Sequence, residues 1–460
     1  MIGGLYHTLK MRLKKTPLLV LPILWVFFSI MLVFTNFLPD RLVKASIAGG
    51  IQEAKNEGDH PSIFFTPQSK LDNFTDQIMM QQCQRTSNWN SITSRFATKQ
   101  EWHSLESNAL HNPLNAAFSN QGYSRYWHGY TVFLKPLLIV FNYSAIRTLF
   151  FLLFGILLCL AFDKIRQRFG IFAACALLIS IVVANFFVVP MSLVFSPVFY
   201  VTLMCVIGID YFKRTDNRVL LFLIVGAVTN YVDFLTVPML TLCIPLAFVV
   251  AYDAINSSCS AKACFISMIR SGLAWLLGYA STWGIKWMLS SLVLHKNIIA
   301  DAIQNILIRS DSGGVNEAKG MSFNRGDVIQ ANYQFMFDQI PLRLFALILI
   351  SLICVLLYRF LKYGGDVRLL YLNFKKASPL LIIGCAPVVW YSALVNHSSI
   401  HMEFYAYKNV AISILCSLLF FVLLFLKPDD KVSLNEAKMN IGNCSDGVSE
   451  RDNQEKDFSE

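Results

Sequence analysis

The chain has few charged residues for its length. Only 15% of its 460 residues are Asp, Glu, Lys or Arg, and 55% are hydrophobic; a soluble domain carries about 25% charged residues. So little charge cannot cover a water-facing surface, and the apolar residues come in runs longer than core strands need. The composition therefore predicts an all-α polytopic membrane protein. It excludes soluble enzymes, secreted disulfide scaffolds and nucleic-acid-binding proteins.

The sequence also lacks the short motifs of several cofactor and metal sites. It contains no GxGxxG or GxxxxGK[ST] loop, no CxxC pair and no HExxH motif. Eleven cysteines are present, but only Cys83 is clearly in a predicted outer segment, and one cysteine cannot form an intrachain bridge. We therefore expect neither a nucleotide site nor a disulfide framework.

Apolar runs predict about ten transmembrane helices. The first run, 17–38, is too long for a signal-peptide core. The others are predicted at 145–162, 171–188, 191–209, 219–232, 236–252, 271–293, 343–358, 378–395 and 409–426. The runs 219–232 and 236–252 are short, and they form either a tight outer hairpin or a broken helix pair.

Basic residues predict the orientation of these helices. Four of them precede the first run, and 22 of the 39 Lys and Arg residues fall in short segments on the predicted inner side. Short loops rich in Lys and Arg favour the cytoplasmic side. Both termini are therefore predicted to be cytoplasmic in a cell-membrane protein. The net charge of +10 is then explained by basic residues in the cytoplasmic segments, and no nucleic-acid partner is expected.

Two predicted outer segments are too long to be turns, which places the expected working surface outside. In chain order the predicted segments are a basic cytoplasmic N-terminus (1–16), the first transmembrane helix (17–38), an outer loop with membrane-lying amphipathic helices (39–144), transmembrane helices two to seven (145–293), a second outer loop (294–342), transmembrane helices eight to ten (343–426) and a disordered cytoplasmic tail (427–460).

The first outer loop contains a predicted amphipathic helix at 68–85. Asp72 and Asp76 are four residues apart within it, so a helix would bring both carboxylates to one face. Close carboxylates raise one pKa and offer a general base beside an electrostatic anchor. The alternative is that Asp72 caps the helix and Asp76 is a solvated surface residue.

The same loop ends in YSRYWHGY (123–130), immediately before a segment too short to span the membrane, which is expected to lie in the interface. Its aromatic residues suit an interfacial belt. Arg125 and His128 add phosphate-binding and proton-handling capacity that a belt does not need, and Trp127 stands between them. We treat these three residues as candidate substrate-binding residues.

Two further polar clusters fall on the predicted outer side. Asp233, in TNYVDFLT, lies between apolar runs; an ionisable residue there is a candidate functional residue, or else a turn residue between two helices. His397 and His401, in NHSSIHMEFYAYKN, are four residues apart, which on a helix suits a shared metal or phosphate, and Lys408 follows them.

YSRYWHGY, TNYVDFLT and NHSSIHMEFYAYKN together resemble segments of uncharacterised bacterial membrane proteins of cell-surface polysaccharide synthesis. Their layout is similar to that of the C-type (GT-C) integral-membrane glycosyltransferases. The sequence has neither the paired acidic residues that many such enzymes carry in the first loop nor the WWD-type segment of oligosaccharyltransferases.

The resemblance implies a sugar donor linked to polyprenyl phosphate and a glycan or lipid acceptor, both met at the membrane. Asp72 or Asp76 would be the catalytic carboxylate. Arg125, His128, His397 and Lys408 would bind the lipid-linked phosphate. No cofactor is certain, but a divalent metal is possible, since some relatives of this layout use one.

Two other classes of protein are compatible with these features. A transporter or flippase of polysaccharide intermediates would carry internal repeats and charges midway in several helices; the sequence shows no clear repeat. A non-catalytic membrane scaffold of a polysaccharide-assembly complex is the third hypothesis.

Overall fold

The computed structural model covers most of the chain between the predicted termini. It describes residues 19–64, 66–84, 124–213, 215–256, 259–312, 324–339 and 342–426. The predicted N-terminal segment 1–16 and tail 427–460 lie outside these residues, as does part of each predicted outer loop.

The described residues are almost entirely helical, apart from short turns and one isolated bridge between Ser62 and Lys70. The predicted all-α class is therefore confirmed for this part of the chain. The helices are α1 (Val20–Phe37), α2 (Lys44–Glu57), α3 (Asn73–Gln82), α4 (Thr131–Val140), α5 (Tyr143–Phe169), α6 (Ile171–Val183), α7 (Ser196–Ile207), α8 (Thr215–Val232), α9 (Met239–Ile255), α10 (Ala261–Leu294), α11 (Ile298–Ser310), α12 (Arg325–Gln339), α13 (Leu342–Lys362), α14 (Val367–Ala377), α15 (Pro379–Gly384), α16 (Ala386–Ala393), α17 (Val395–Ile400) and α18 (Val410–Leu424).

Several helices have the length and composition of membrane spans. Among the described residues five qualify, namely α1, α5, α10, most of α13, and the segment Ala406–Leu424 that includes α18. A sixth is obtained if α14 and the segment Pro379–Ala393, which meet at an angle of 43°, count as one span. A helical membrane protein is thus supported, but ten spans are not confirmed. The five remaining apolar segments have only 10 to 17 residues each, whereas a span needs about 20; they are Thr131–Val140, Ile171–Val183, Ser196–Asp210, Asn217–Val232 and Met239–Ile255.

The run predicted as one span at 378–395 is broken into α15 and α16. Pro379 and Pro387 stand in the first turns of these two helices. Proline lacks an N–H and fits the first turn of a helix but not its interior. Pro379 therefore marks the start of the apolar run, and Pro387, in its middle, explains why the run does not form a single straight helix.

Helices α9 and α18 form the centre of the bundle. Nearly every residue of α9 is buried. In the span that includes α18, 78% of the residues are buried inside the protein, whereas only 11% are buried in α13. The peripheral helices leave large apolar side chains exposed, among them Phe34, Leu152 and Leu292. An apolar outer surface of this extent suits contact with lipid.

Helices α8 and α10 cross with their backbones in direct contact. A Cβ atom at Gly226 would lie 2.1 Å from the carbonyl oxygen of Trp275, and a Cβ at Gly278 would lie 2.1 Å from that of Leu223. Neither backbone atom can rotate away. The crossing therefore requires glycine on both helices, as in other close-packed membrane helix pairs.

We expect Gly278→Ala to destabilise the protein by on the order of 3 kcal/mol, because the added methyl group must force α8 and α10 apart. The measurement is the melting temperature of the purified full chain in detergent. Gly284→Ala is the matched control on α10, since a Cβ at Gly284 meets no atom within 4 Å. Equal melting temperatures for the two variants would contradict the packing described here.

Candidate functional site

Asp72 caps the N-terminus of α3. Its Oδ1 accepts a hydrogen bond from the Thr75 backbone N–H at 3.0 Å, and its Oδ2 accepts from the Thr75 hydroxyl at 2.7 Å. The Nδ1 atom of His60 lies 3.7 Å from Asp72 Oδ1. Burial raises the pKa of Asp72. The hydrogen bonds from Thr75 and the nearby His60 lower this pKa, but burial has the larger effect. The predicted capping role is therefore observed, and a buried carboxyl with a raised pKa comes with it.

Asp76 is fully buried, and protein donors surround its carboxylate. Oδ2 accepts from the Tyr143 hydroxyl at 2.8 Å and from the Leu193 N–H at 3.0 Å, and Oδ1 accepts from the Val194 N–H at 3.1 Å. Burial raises the pKa of Asp76 to about 7, although the charge of Arg147 opposes the shift. The alternative of a solvated surface residue does not hold. These contacts fasten α3 to the 192–194 turn and to α5.

A buried polar network that sequence reasoning missed surrounds Asp76. Arg147 on α5 makes a bidentate ion pair with Glu57 on α2, with both N···O distances at 2.9 Å. The same guanidinium donates to Asn73 Oδ1 at 2.6 Å and also to the Tyr143 hydroxyl. Three helices are thus tied together at the N-terminal end of α5. Arg147 lies near the start of the apolar run predicted at 145–162 and Tyr143 lies just before it, so hydropathy alone gave little sign of this role.

The described part of the aromatic segment, residues 124–130, is packed into the bundle. Trp127 is fully buried and donates its indole N–H to the Thr282 carbonyl at 2.7 Å. The N–H of Gly129 donates to the Tyr231 carbonyl at 2.8 Å, and a Cβ at Gly129 would lie 2.4 Å from the Tyr231 ring. His128 has a positive φ of 54°. The burial of this segment does not fit an interfacial belt.

The side chains of this segment reach different partners. Arg125 forms an ion pair with Asp301 on α11 at 3.2 Å, and its carbonyl accepts from the Trp283 indole. His128 Nδ1 is 2.8 Å from the Tyr130 hydroxyl. Arg125 is therefore linked to the second predicted outer loop, and His128 lies among aromatic rings.

Asp233 forms the turn between α8 and α9. Its Oδ1 and Oδ2 accept from the Thr236 N–H at 3.1 and 3.2 Å, and Oδ1 also accepts from the Thr236 hydroxyl at 2.6 Å. The carboxylate is nevertheless 4% exposed, so a charged turn residue has been buried. Leu235 in the same turn has a positive φ of 63°.

The two predicted histidines lie next to each other on either side of the end of α17. The rings of His397 and His401 are 4.8 Å apart, and the ring of His401 stacks on Tyr405 at 4.7 Å. Within the described residues, the buried Nε2 of His397 has no hydrogen-bond partner. Buried polar atoms are normally bonded, so this nitrogen is available to a bound molecule.

Tyr405 shows that several of these groups share one environment. Burial and the charge of Asp72 raise its pKa, Arg309 on α11 opposes the shift, and Asp233 adds to it. His60 also stacks on Phe404 at 4.1 Å. We refer to His60, Asp72, Arg309, His397, His401 and Tyr405 as the carboxylate–histidine cluster, with Asp233 within electrostatic range.

His397 and His401 are neutral at physiological pH. Burial and the charge of Arg309 lower the pKa of His401 to about 3. Burial also lowers the pKa of His397, and the neighbouring His401 and Arg309 lower it further. Neutral imidazoles donate or accept hydrogen bonds but do not attract phosphate by charge. Arg309 is therefore the cation in the cluster, and sequence reasoning had not selected it.

Lys408 has protein partners at both sides of its buried ammonium group. Nζ donates to the Ala184 carbonyl at 3.1 Å and to the Tyr407 hydroxyl at 2.7 Å. Tyr407 in turn donates to the Gln68 carbonyl at 2.8 Å. Lys408 thus connects the start of α18 to the end of α6 and to the loop before α3.

The predicted site residues therefore separate into two groups. Asp72, Asp233, His397 and His401 are brought together, whereas the other five contact different partners within the packed protein: Asp76, Arg125, Trp127, His128 and Lys408. Three members of the cluster, His60, Arg309 and Tyr405, were missed; for His60 and Arg309 the only signal was the unusual length of their predicted outer loops. In the described part of the chain no group of three or more His, Cys, Asp or Glu residues is placed to hold a metal ion.

Comparison of the chain with known protein families, with curated proteins and with solved structures found no match.

Proposed function

We propose that the protein is a membrane glycosyltransferase that moves a sugar from a polyprenyl-phosphate donor to a glycan or lipid at the outer face of the cell membrane. The observation that carries this proposal is the convergence of a buried carboxylate, a cation and neutral histidines in the carboxylate–histidine cluster. Its members come from four separate stretches of the chain. Acid–base residues beside a cation are what a transfer reaction with a phosphate leaving group needs.

The roles within the cluster follow from its charges. The raised pKa of Asp72 suits a general base that accepts the proton of the acceptor hydroxyl as the new glycosidic bond forms. Arg309 would neutralise the lipid phosphate as it leaves with the bonding electron pair. His397 and His401, being neutral, would orient hydroxyl groups of the substrates.

An apolar groove supports a lipid-linked donor. It has a volume of about 580 Å³ and lies between α1 and α10, with Trp25, Val33 and Leu289 among its lining residues. Trp25 donates to the Thr282 hydroxyl at 3.0 Å, and Thr282 also accepts from Trp127. The groove is therefore adjacent to the aromatic segment, and the polyprenyl chain of a donor would lie in it.

The proposed topology keeps ten spans with both termini in the cytoplasm. The shorter apolar helices α6 to α9 would cross where the bilayer is locally thinned, packed against the long helices. The basic residues of the short loops support this orientation.

The full chain reconstituted in liposomes tests the proposal. The probe is a panel of radiolabelled hexoses, pentoses and N-acetylhexosamines on polyprenyl phosphate, with a cell-surface glycan preparation as acceptor. We expect label to appear in the glycan, whereas protein-free liposomes should show none. Movement of the donor sugar between leaflets without transfer would favour a flippase. Neither transfer nor movement would favour a scaffold, and either result would overturn the proposal.

A further inference from the structure

A second pocket lies apart from the carboxylate–histidine cluster, between α12 and the end of α17. Its volume is about 200 Å³. It is lined by Asn324, Asp327, Val328, Ala331, Asn332, Ser399 and Met402. Most of these side chains are polar or small, unlike those of the groove between α1 and α10.

The bottom of this pocket carries unsatisfied hydrogen-bonding capacity. Asn332 is fully buried; its Nδ2 donates to the Val328 carbonyl at 2.9 Å and to the Ser398 carbonyl at 3.3 Å. Its Oδ1 has no partner among the described residues. Leaving such a group unpaired costs about 1–3 kcal/mol, so a molecule from outside the chain is expected to bond it.

The pocket has a charged residue at its exposed end and a neutral polar residue at its buried end. Asp327 is exposed and Asn332 is buried, and both are on α12. Val328 and Met402 supply apolar surface between them. The volume is several times the roughly 30 Å³ share of one water molecule. It is below the roughly 300 Å³ of sites for drug-sized ligands, so a single small molecule fits best.

We infer that this pocket binds one neutral sugar residue of the acceptor. Sugar hydroxyls both donate and accept hydrogen bonds, which matches an amide oxygen, a serine hydroxyl and a carboxylate. The C–H face of a sugar ring suits Val328 and Met402. Asp327 would repel an anion, which argues against a phosphate.

The position of α17 connects the pocket to the cluster. His397 and Ser398 are adjacent on this six-residue helix. His397 contacts the ring of Tyr405, whereas the carbonyl of Ser398 contacts Asn332. An acceptor sugar held in the pocket would thus contact the same short segment of chain that carries His397 and His401. That assignment as acceptor rests on the proposed function, but sugar binding by itself does not.

Sugar binding to the purified full chain can be measured by saturation-transfer NMR with free glucose, galactose and N-acetylglucosamine. We expect saturable binding of at least one of them, and Asn332→Ala should weaken it about tenfold, the equivalent of one lost hydrogen bond. Asp327→Asn, at the exposed mouth, provides a second variant with little risk to folding. Gln334→Ala, exposed on α12, is the matched control and should bind as the wild type does.

The outcomes separate this inference from the proposed function. Binding that both pocket variants weaken would support the inference even if no sugar transfer is found. No saturable binding of any sugar, or binding that neither variant changes, would overturn it. The inference would also be overturned if the wild type bound calcium and no sugar, and the same variants lost the calcium binding.

Discussion

Asp72→Asn is expected to lower sugar transfer by about 10²–10⁴-fold, the usual contribution of a general acid–base group. The change removes the carboxylate that lies 3.7 Å from His60. This carboxylate also acts electrostatically on Tyr405. Asn is as good an N-cap as Asp, and its Oδ1 can still accept from the Thr75 N–H. The loss of sugar transfer should therefore reflect the missing general base, and the stability of the protein should change little. The measurement is the initial transfer rate in proteoliposomes.

Asp366→Asn is the matched control for this change. Asp366 also caps a helix, accepting from the Leu369 N–H at 2.7 Å at the start of α14, and it is exposed. It lies far along the chain from the cluster, on the predicted inner side, so its replacement should leave transfer unchanged. Wild-type transfer by Asp72→Asn would remove Asp72 from the proposed mechanism.

Asp76→Asn is expected to destabilise the fold by roughly 3 kcal/mol or more, because an amide cannot accept from all three donors around it. Its NH₂ group must face the Tyr143 hydroxyl and Leu193 N–H, or else the Val194 N–H. The buried guanidinium of Arg147 would also lose a nearby acidic group. We expect a lower melting temperature and less folded protein in detergent.

The effect of this variant should depend on pH. Since burial raises the pKa of Asp76 from 3.8 to about 7, the folded protein holds a proton that the unfolded chain has lost. The contribution of this carboxyl to stability is then full below about pH 4 and is lost as the pH rises through about 7. The difference in melting temperature between wild type and Asp76→Asn should narrow between about pH 5 and about pH 8.

Asp338→Asn on α12 is the control, since Asp338 is exposed and its replacement should change stability little. If Asp76→Asn melts at the wild-type temperature at each pH, the three hydrogen bonds do not stabilise the fold. Retained folding with loss of transfer would instead give Asp76 a role in the reaction.

The sequence was most informative where one physical property decided the structure. Apolar runs predicted α1, α5 and α10 because a helix in lipid must satisfy its backbone internally. The capping role of Asp72 could be predicted as an alternative because an N-cap depends only on local residues. The lengths of the helices were less well predicted, since Pro387 breaks the run 378–395, which hydropathy treats as continuous.

The membrane class, the helical fold and the list of polar outer segments were thus determined by the sequence alone. Only the tertiary structure decided that Asp72, Arg309 and Tyr405 share one environment while Asp76 and Lys408 are held by protein partners. These residues are far apart in the chain, and helical periodicity describes one helix at a time. It carries no information on which helix ends pack together, and that packing decides whether a buried charge meets a hydrogen-bond donor or an open site.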